Sequence, residues 1–154
     1  MHTIAMTADA PSRARTRLVQ AVTLLGRFPR SIQQLVFRLA VGSVFLKAGL
    51  IKIESWESTV GLFRDEYQVP VLPPEIAAVM GTTFELGCST LLIAGLATRL
   101  ATLPLLGMLM VIQLFVYPNA WAEHLTWGSI LIAILTRGAG SASLDRLIGL
   151  EPSE

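Results

Sequence analysis

The distribution of charge along the 154-residue chain constrains its fold more than any other feature. No charged side chain occurs between Leu100 and Tyr117, and Glu85 is the only one between Ile76 and Leu96. Stretches of this length can cross the hydrocarbon core of a bilayer as helices. The hydrophobic fraction is 53% and the charged fraction only 15%, which is more apolar than a soluble domain requires. The pattern therefore predicts an all-α polytopic membrane protein.

Four apolar segments are predicted to span the membrane as a four-transmembrane-helix bundle. They are residues 35–53, 76–96, 100–117 and 120–136. The fourth has 17 residues, which is near the lower limit for crossing about 30 Å of hydrocarbon. The domain prediction is a basic segment at 1–34, a membrane domain at 35–145 and a tail at 146–154.

The placement of arginine predicts how these spans are oriented. One side of the membrane receives the N-terminal arginines together with Arg99, Arg137 and Arg146. The other side receives Arg64 and can also receive Lys52 from the end of the first span. Connections rich in Lys and Arg remain in the cytoplasm. We therefore expect a multi-pass protein of the bacterial inner membrane with both termini in the cytoplasm.

The segment before the first span is basic and amphipathic. Residues 13–30 contain five arginines, and Leu18, Val22 and Leu25 recur among them at helical spacing. Such a helix is expected to lie on an anionic leaflet, and the small polar residues 1–12 before it are expected to be disordered. A signal peptide is the competing interpretation, which a glutamine inside the short apolar run disfavours.

The first span carries three cations, which are costly inside a membrane. At about 100° per residue, one face of this helix presents Arg38, Gly42, Phe45, Gly49 and Lys52. Lys47 points almost opposite. Arg38 and Lys52 lie near the ends of the span, where we expect them to snorkel to the interfaces.

Glu85 lies almost at the centre of the second span. Its helical neighbours are small or polar, namely Gly81, Thr82, Cys88 and Ser89. Small residues let helices approach closely, so this stripe is expected to face the bundle interior. We expect Glu85 to pair with a cation of the first span, with Lys47 preferred because Lys52 lies about 7.5 Å further along the helix. The pair is either structural or part of a proton or quinone site.

Residues 54–75 form an acidic connection between the first two spans. Within it, aromatic and apolar residues recur at helical spacing, namely Trp56, Val60, Phe63 and Tyr67. We expect a short helix that rests this face on the membrane surface.

Four polar side chains fall in the outer half of the predicted bundle: Lys52, Gln113, Tyr117 and His124. A quinone headgroup needs a few hydrogen-bond partners beside an apolar slot, and this set can supply them. Ordinary behaviour of polar residues at a membrane interface is the alternative.

Several other kinds of chemistry are not expected. One cysteine and two histidines predict neither haem nor a metal site within the chain. The sequence has no nucleophile with a base and no phosphate-binding loop, so a self-contained catalytic site is not predicted. The formal net charge of +1 predicts no nucleic-acid partner.

Three short motifs follow one another along this four-span layout. The first runs from Arg38 through Gly49 to Lys52, and the second is Glu85 with an apolar run that ends at Gly95, Leu96, Thr98 and Arg99. The third is the tail 138–145, which reads Gly-Ala-Gly-Ser-Ala-Ser-Leu-Asp. In these motifs the chain resembles the DoxX family of small four-helix membrane proteins.

The resemblance implies a general class of function but no particular activity. Some members of the family are linked to membrane oxidoreductase assemblies, including a thiosulfate-to-quinone oxidoreductase subunit. The segment 66–74 is most similar to a branch encoded beside iron-dependent peptide-modifying enzymes. We therefore expect a membrane subunit or partner of an oxidoreductase assembly, able to interact with quinone.

The alternative is a non-catalytic anchor, scaffold or small-solute carrier that serves a peptide-modifying or stress-related operon. The expected partners are the lipid bilayer and another protein of a membrane complex. A homo-oligomer is also compatible with the pattern.

Overall fold

The computed structural model describes residues 13–151, and all regular elements within this range are helical. The helices are α1 Arg13–Leu25, α2 Arg30–Glu54, α3 Trp56–Leu62, α4 Pro74–Ala94, α5 Thr98–Val111, α6 Trp121–Arg137 and α7 Leu144–Leu147. A π-helical turn, Phe63–Tyr67, continues α3, and a second one, Ile112–Val116, continues α5. The expectation of disorder at 1–12 and the last residues of the predicted tail lie outside the described range.

Helices α2, α4, α5 and α6 form a four-helix bundle, in which α2 and α5 each pack against both α4 and α6. Helices α2 and α4 are antiparallel, because Gly42 lies beside Ile93 whereas Gly49 lies beside Leu86. The bundle core consists of Val41, Phe45, Leu92, Leu105, Leu109, Leu131 and Ile134. The prediction of an all-α fold is thus confirmed for residues 13–151.

Small residues set the close approach of α2 to α4. A methyl group added at Gly49 would lie 2.8 Å from side-chain carbons of Leu86, and one added at Gly42 would lie 2.7 Å from Ile93. These glycines therefore admit the bulky side chains of α4, as small residues do at helix interfaces in membranes. On α4, Thr82, Glu85 and Ser89 are buried, which confirms that the polar stripe faces inward.

Two helical stretches, Pro74–Ala94 and Thr98–Val116, are long and apolar enough to cross a membrane by length and composition. Only 33% and 22% of their apolar windows are buried. Their hydrophobic surface therefore points mostly outward, which is the arrangement expected of helices that contact lipid.

Helix α1 forms where the basic amphipathic segment was predicted, but no residue of it is buried. The side chains of Leu18, Val22 and Leu25 are exposed. Within residues 13–151, no other element covers the apolar stripe of α1.

The short helix α3 and its π turn differ from the prediction. Phe63 is buried and packs with Ala77 and Ala78 of α4, and Val60 and Tyr67 pack against the same cluster. The expectation that this aromatic face rests on the membrane surface was therefore wrong for these residues. The helix presents them to α4 because Gly81 leaves room for the Phe63 ring.

The end of the bundle that contains the α4–α5 turn is closed by the chain segment 138–151, and we call it the tail end. The Asp145 carboxylate accepts hydrogen bonds from the backbone N–H groups of Ala97, at 2.6 Å, and Thr98, at 2.9 Å. The Asp145 N–H in turn donates to the Gly95 carbonyl, at 2.8 Å. Asp145 thus supplies the N-terminal cap that the local sequence of α5 lacks.

Arg38 also lies at the tail end, and it is fully buried. Its guanidinium donates to the carbonyls of Leu92 and Ile93 in the last turn of α4, and to the carbonyl of Ala142 in the tail. The prediction that Arg38 snorkels to an interface was therefore wrong. Unpaired carbonyls at the C-terminus of α4 attract the cation inward.

The cap predicts the effect of substituting Asp145. Replacement by alanine leaves the buried N–H of Thr98 and the partly buried N–H of Ala97 without a charged acceptor, so the free energy of unfolding should fall by about 1.5–3 kcal/mol. Thermal unfolding in mild detergent measures this loss. Asp65→Ala is the control, because Asp65 is exposed and its removal should change stability little. Equal stability of the two variants would contradict the capping role.

Candidate functional site

A cavity of about 650 Å³ opens in the opposite half of the bundle. We call this half the connector end, because Phe63, Tyr67, Val69 and Leu72 of the connection between α2 and α4 line the cavity. All four bundle helices contribute to its wall. Apolar side chains form most of this wall and include Phe45, Ala48, Phe84, Met108 and Trp127. The volume is within the range of sites that bind small organic molecules.

Both π-helical turns border this cavity. Phe63 and Tyr67 come from the first turn, and Ile112 and Val116 come from the second. Such turns widen a helix locally and occur often at functional sites. Pro104 and Gly107, which also line the cavity, further reduce the side-chain bulk of α5.

The cavity contains a buried ion pair. Lys52 Nζ lies 2.8 Å from Glu85 Oε1, and the side chains are 11% and 5% exposed. Helix α2 places Lys52 one turn beyond Gly49, whose absent side chain lets α2 approach the Cβ of Glu85. The flexible lysine stem then reaches back to the carboxylate.

The prediction that Glu85 pairs preferentially with Lys47 was wrong. Lys47 is exposed on the outer face of α2, where it makes no ion pair with any residue in 13–151. Gly49 lies at the depth of Glu85, and Lys47 is two residues away from it, or about 200° around the helix. Lys47 therefore cannot reach Glu85 although the two residues lie at similar depths, because the side chain of Lys47 points away from α4.

The ion pair leaves one oxygen of Glu85 unused. Oε2 is buried and has no hydrogen-bond partner within residues 13–151, although Glu85 lines the cavity. A buried carboxylate oxygen without a donor is costly. A residue of the cavity wall thus carries an acceptor that no donor in residues 13–151 satisfies.

His124 is held by Gln113. The Nδ1 atom of His124 lies 2.7 Å from Gln113 Oε1, and Gln113 Nε2 donates to the Pro118 carbonyl at 2.9 Å. His124 is buried and lines the cavity, and its ring lies 5.6 Å from that of Trp127. Gln113 therefore acts through His124 and positions its ring at the cavity wall.

A tyrosine pair lies where the cavity meets the α3 connection. The rings of Tyr67 and Tyr117 are 5.8 Å apart and nearly perpendicular. Tyr117 Oη donates to Glu66 Oε1 at 2.5 Å, and this hydrogen bond to the carboxylate raises the pKa of Tyr117 above its usual range. Burial raises the pKa of Tyr67. Both phenols therefore remain protonated at neutral pH.

The structure brings together most of the residues that the sequence singled out. Lys52, Glu85, Tyr117 and His124 all line the cavity, and Gln113 supports His124. Arg38 lies at the tail end and Lys47 on the outer face, away from the cavity.

Sequence reasoning did not include Tyr67 and Trp127 among the candidate site residues, and it gave Trp127 no packing partner. Trp127 packs against Phe45 with ring centroids 6.3 Å apart, and both line the cavity. The helical spacing of Phe63 and Tyr67 was visible in the sequence, but not the surface that they cover.

The cavity presents few groups for metal chemistry. No group of three or more His, Cys, Asp or Glu side chains arranged to hold a metal ion occurs in residues 13–151. What the cavity offers is a cation, carboxylate, imidazole and phenols beside a large apolar wall. This arrangement suits an amphiphilic organic ligand with a polar head.

A four-helix bundle with outward-pointing apolar helix faces and a mainly apolar cavity at one end is an architecture typical of helical membrane proteins. Residues 33–118, more than half of the chain, match the DoxX family. The chain therefore belongs to the DoxX family, as the motifs predicted. Searches of curated proteins and of solved structures gave no significant match.

The ion pair predicts a non-additive pattern of stability. Lys52→Met or Glu85→Gln leaves the other partner buried and unpaired, which should cost about 3–5 kcal/mol, whereas the double variant should lose less than the sum. Thermal unfolding in detergent provides the measurement.

Lys47→Met makes the same substitution on the exposed face of the same helix. It should therefore unfold within a few degrees of the unsubstituted protein. Additive losses for Lys52→Met and Glu85→Gln would show that the two side chains do not stabilise each other.

Proposed function

We propose that this protein spans the bacterial inner membrane four times, with both termini in the cytoplasm. Helices α2, α4, α5 and α6 are the proposed spans. The tail end has Arg99, Arg137 and Arg146 near it, whereas the connector end has Arg64 and Lys52 as its only cations within residues 13–151. The tail end would therefore face the cytoplasm and the cavity would lie towards the outer leaflet. The exposed apolar stripe and arginines of α1 support a position on the cytoplasmic leaflet.

The topology predicts the accessibility of single cysteines in intact cells. Cys88→Ser removes the native thiol, and Asp65→Cys or Leu147→Cys then adds an exposed one at the connector end or the tail end. A membrane-impermeant maleimide should label the variant at 65 directly and the variant at 147 only after permeabilisation. The reverse pattern would invert the orientation, and labelling of both in intact cells would contradict the three spans proposed between these two positions.

We further propose that the cavity binds a quinone-type molecule and that the protein serves as a membrane component of an oxidoreductase assembly. The observation that carries this proposal is one apolar cavity of about 650 Å³ with Lys52, Glu85 and His124 in its wall. An isoprenoid or alkyl chain fits the apolar wall, and the headgroup needs the few polar groups. Electrons would come from a partner protein, since the described residues contain no redox centre of their own.

The exposed position of Lys47 supports the proposal that a partner protein contacts this chain in the membrane. This cation lies on the outer face at the depth of the α2–α4 contact, where the bilayer offers no counter-charge. We propose that this face of α2 contacts a membrane helix that carries a carboxylate or other acceptor. An anchor or scaffold would also use such a face, but it would not need the cavity, so ligand binding distinguishes the two functions.

Binding can be followed by the fluorescence of Trp127, which lines the cavity. With Trp56→Phe and Trp121→Phe as background, decylubiquinone should quench the remaining tryptophan saturably in detergent. Ala48→Phe places a ring in the cavity and should raise the apparent Kd by about tenfold or more, a change of roughly 1.4 kcal/mol.

Ala40→Phe is the matched control, because Ala40 is an exposed alanine of the same helix. It should leave the Kd unchanged. Equal quenching of the Ala48→Phe and Ala40→Phe variants would place the ligand outside the cavity and would overturn the quinone proposal in favour of an anchor or scaffold.

A further inference from the structure

The polar groups of the cavity also specify which form of a ring headgroup it accepts. Glu85 is only 4% exposed, and its Oε2 atom has no donor within residues 13–151. Its other oxygen accepts from Lys52, which fixes the orientation of the carboxylate. A molecule bound beside Glu85 is therefore favoured if it donates a hydrogen bond to Oε2.

His124 supplies a second acceptor. Gln113 Nε2 donates to the Pro118 carbonyl, so Gln113 Oε1 is the atom that faces His124 Nδ1. An amide oxygen only accepts, and Nδ1 must therefore carry the proton of this hydrogen bond. In the neutral ring, Nε2 is then an acceptor, and it makes no hydrogen bond to the described part of the chain.

The headgroup meets these acceptors in an aromatic surrounding. Phe45, Phe63 and Trp127 line the same cavity, and flat rings pack well against such side chains. Oxidised quinones carry two carbonyl oxygens, which accept hydrogen bonds but donate none. An oxidised quinone would therefore leave Glu85 Oε2 unsatisfied, and it would bring a partly negative carbonyl oxygen towards the carboxylate.

We infer that the cavity selects the hydroquinone form, whose two phenolic hydroxyls donate to Glu85 Oε2 and His124 Nε2. The inference rests on the proposed function, because it names the redox form that the proposed quinone site prefers. It concerns binding only, and no electron leaves the ring within this chain. The preference implies that the partner enzyme consumes a quinol held here or releases one into the cavity.

Three decylubiquinone derivatives test the selection in the full-length protein, with the fluorescence of Trp127 as the readout at pH 8 under anaerobic conditions. They are decylubiquinol, decylubiquinone and the dimethyl ether of decylubiquinol. The quinol should bind about tenfold or more tightly than the quinone, which corresponds to one hydrogen bond to a charged acceptor. The dimethyl ether has the same ring but no donor, and it should bind no better than the quinone.

Substitution of the acceptors should remove the preference. Glu85→Gln replaces the charged acceptor by an amide that can donate to a carbonyl, so the ratio of quinol to quinone affinity should fall about tenfold or invert. His124→Phe leaves the Lys52–Glu85 pair intact and should lower the ratio as well. This second variant decides the matter if Glu85→Gln does not fold. Glu75→Gln alters an exposed acid outside the cavity, and it should retain the full ratio.

The outcomes separate this inference from the proposed function. Equal affinity of the original protein for quinol and quinone would overturn the inference and leave the quinone site standing. A ratio unchanged in both Glu85→Gln and His124→Phe would also overturn it. Failure of all three derivatives to bind would overturn the proposed function, and the inference with it.

Discussion

The ion pair between Lys52 and Glu85 depends on how closely α2 approaches α4. A carboxylate at the centre of an apolar helix is tolerated only if a cation or water meets it. Gly49 permits the contact, because any side chain at that position would collide with Leu86 and with the Cβ of Glu85. Lys52, one turn further on, then places its ammonium 2.8 Å from the carboxylate. The glycine and the two charges therefore act as one unit.

The two ends of the bundle use buried charge in different ways. At the tail end, Arg38 and Asp145 meet carbonyl and N–H groups at the termini of α4 and α5, so their charges close the structure. At the connector end, the Lys52–Glu85 pair leaves one oxygen free and lines an open cavity. Unpaired buried polar atoms occur at both ends, including Arg38 Nε and Thr98 Oγ1 at the tail end. The connector end differs because its charged side chains lie in the wall of a cavity that can hold a ligand. The cavity is therefore the physical basis for assigning function to the connector end.

Much of the fold could be predicted from helical periodicity. The pattern placed the four long helices, the inward stripe of α4 and the inward face of α2 from Arg38 to Gly49. These predictions succeeded because periodicity reports which side of one helix is apolar or small. The prediction preferred Lys47 to Lys52 as the partner of Glu85, and this was wrong because the choice rested on depth along the helix. The direction of each side chain around the helix decides which lysine meets Glu85. The burial of Arg38 was missed because its acceptors are backbone carbonyls, which no side-chain pattern reveals.

The sequence by itself determined the class of protein, the helical elements and the identity of the polar residues available for a site. Charge clustering and small-residue spacing are local properties, so one chain read in order is sufficient for them. Only the tertiary structure decided which of these residues meet. The tail closes the bundle on α4 and α5 through Asp145, the α3 connection folds Phe63 and Tyr67 against α4, and His124 reaches the cavity with Gln113 behind it. Each of these contacts joins residues that lie on different helices or connections, and their geometry depends on helix rotation and close approach, which hydrophobic periodicity alone does not specify.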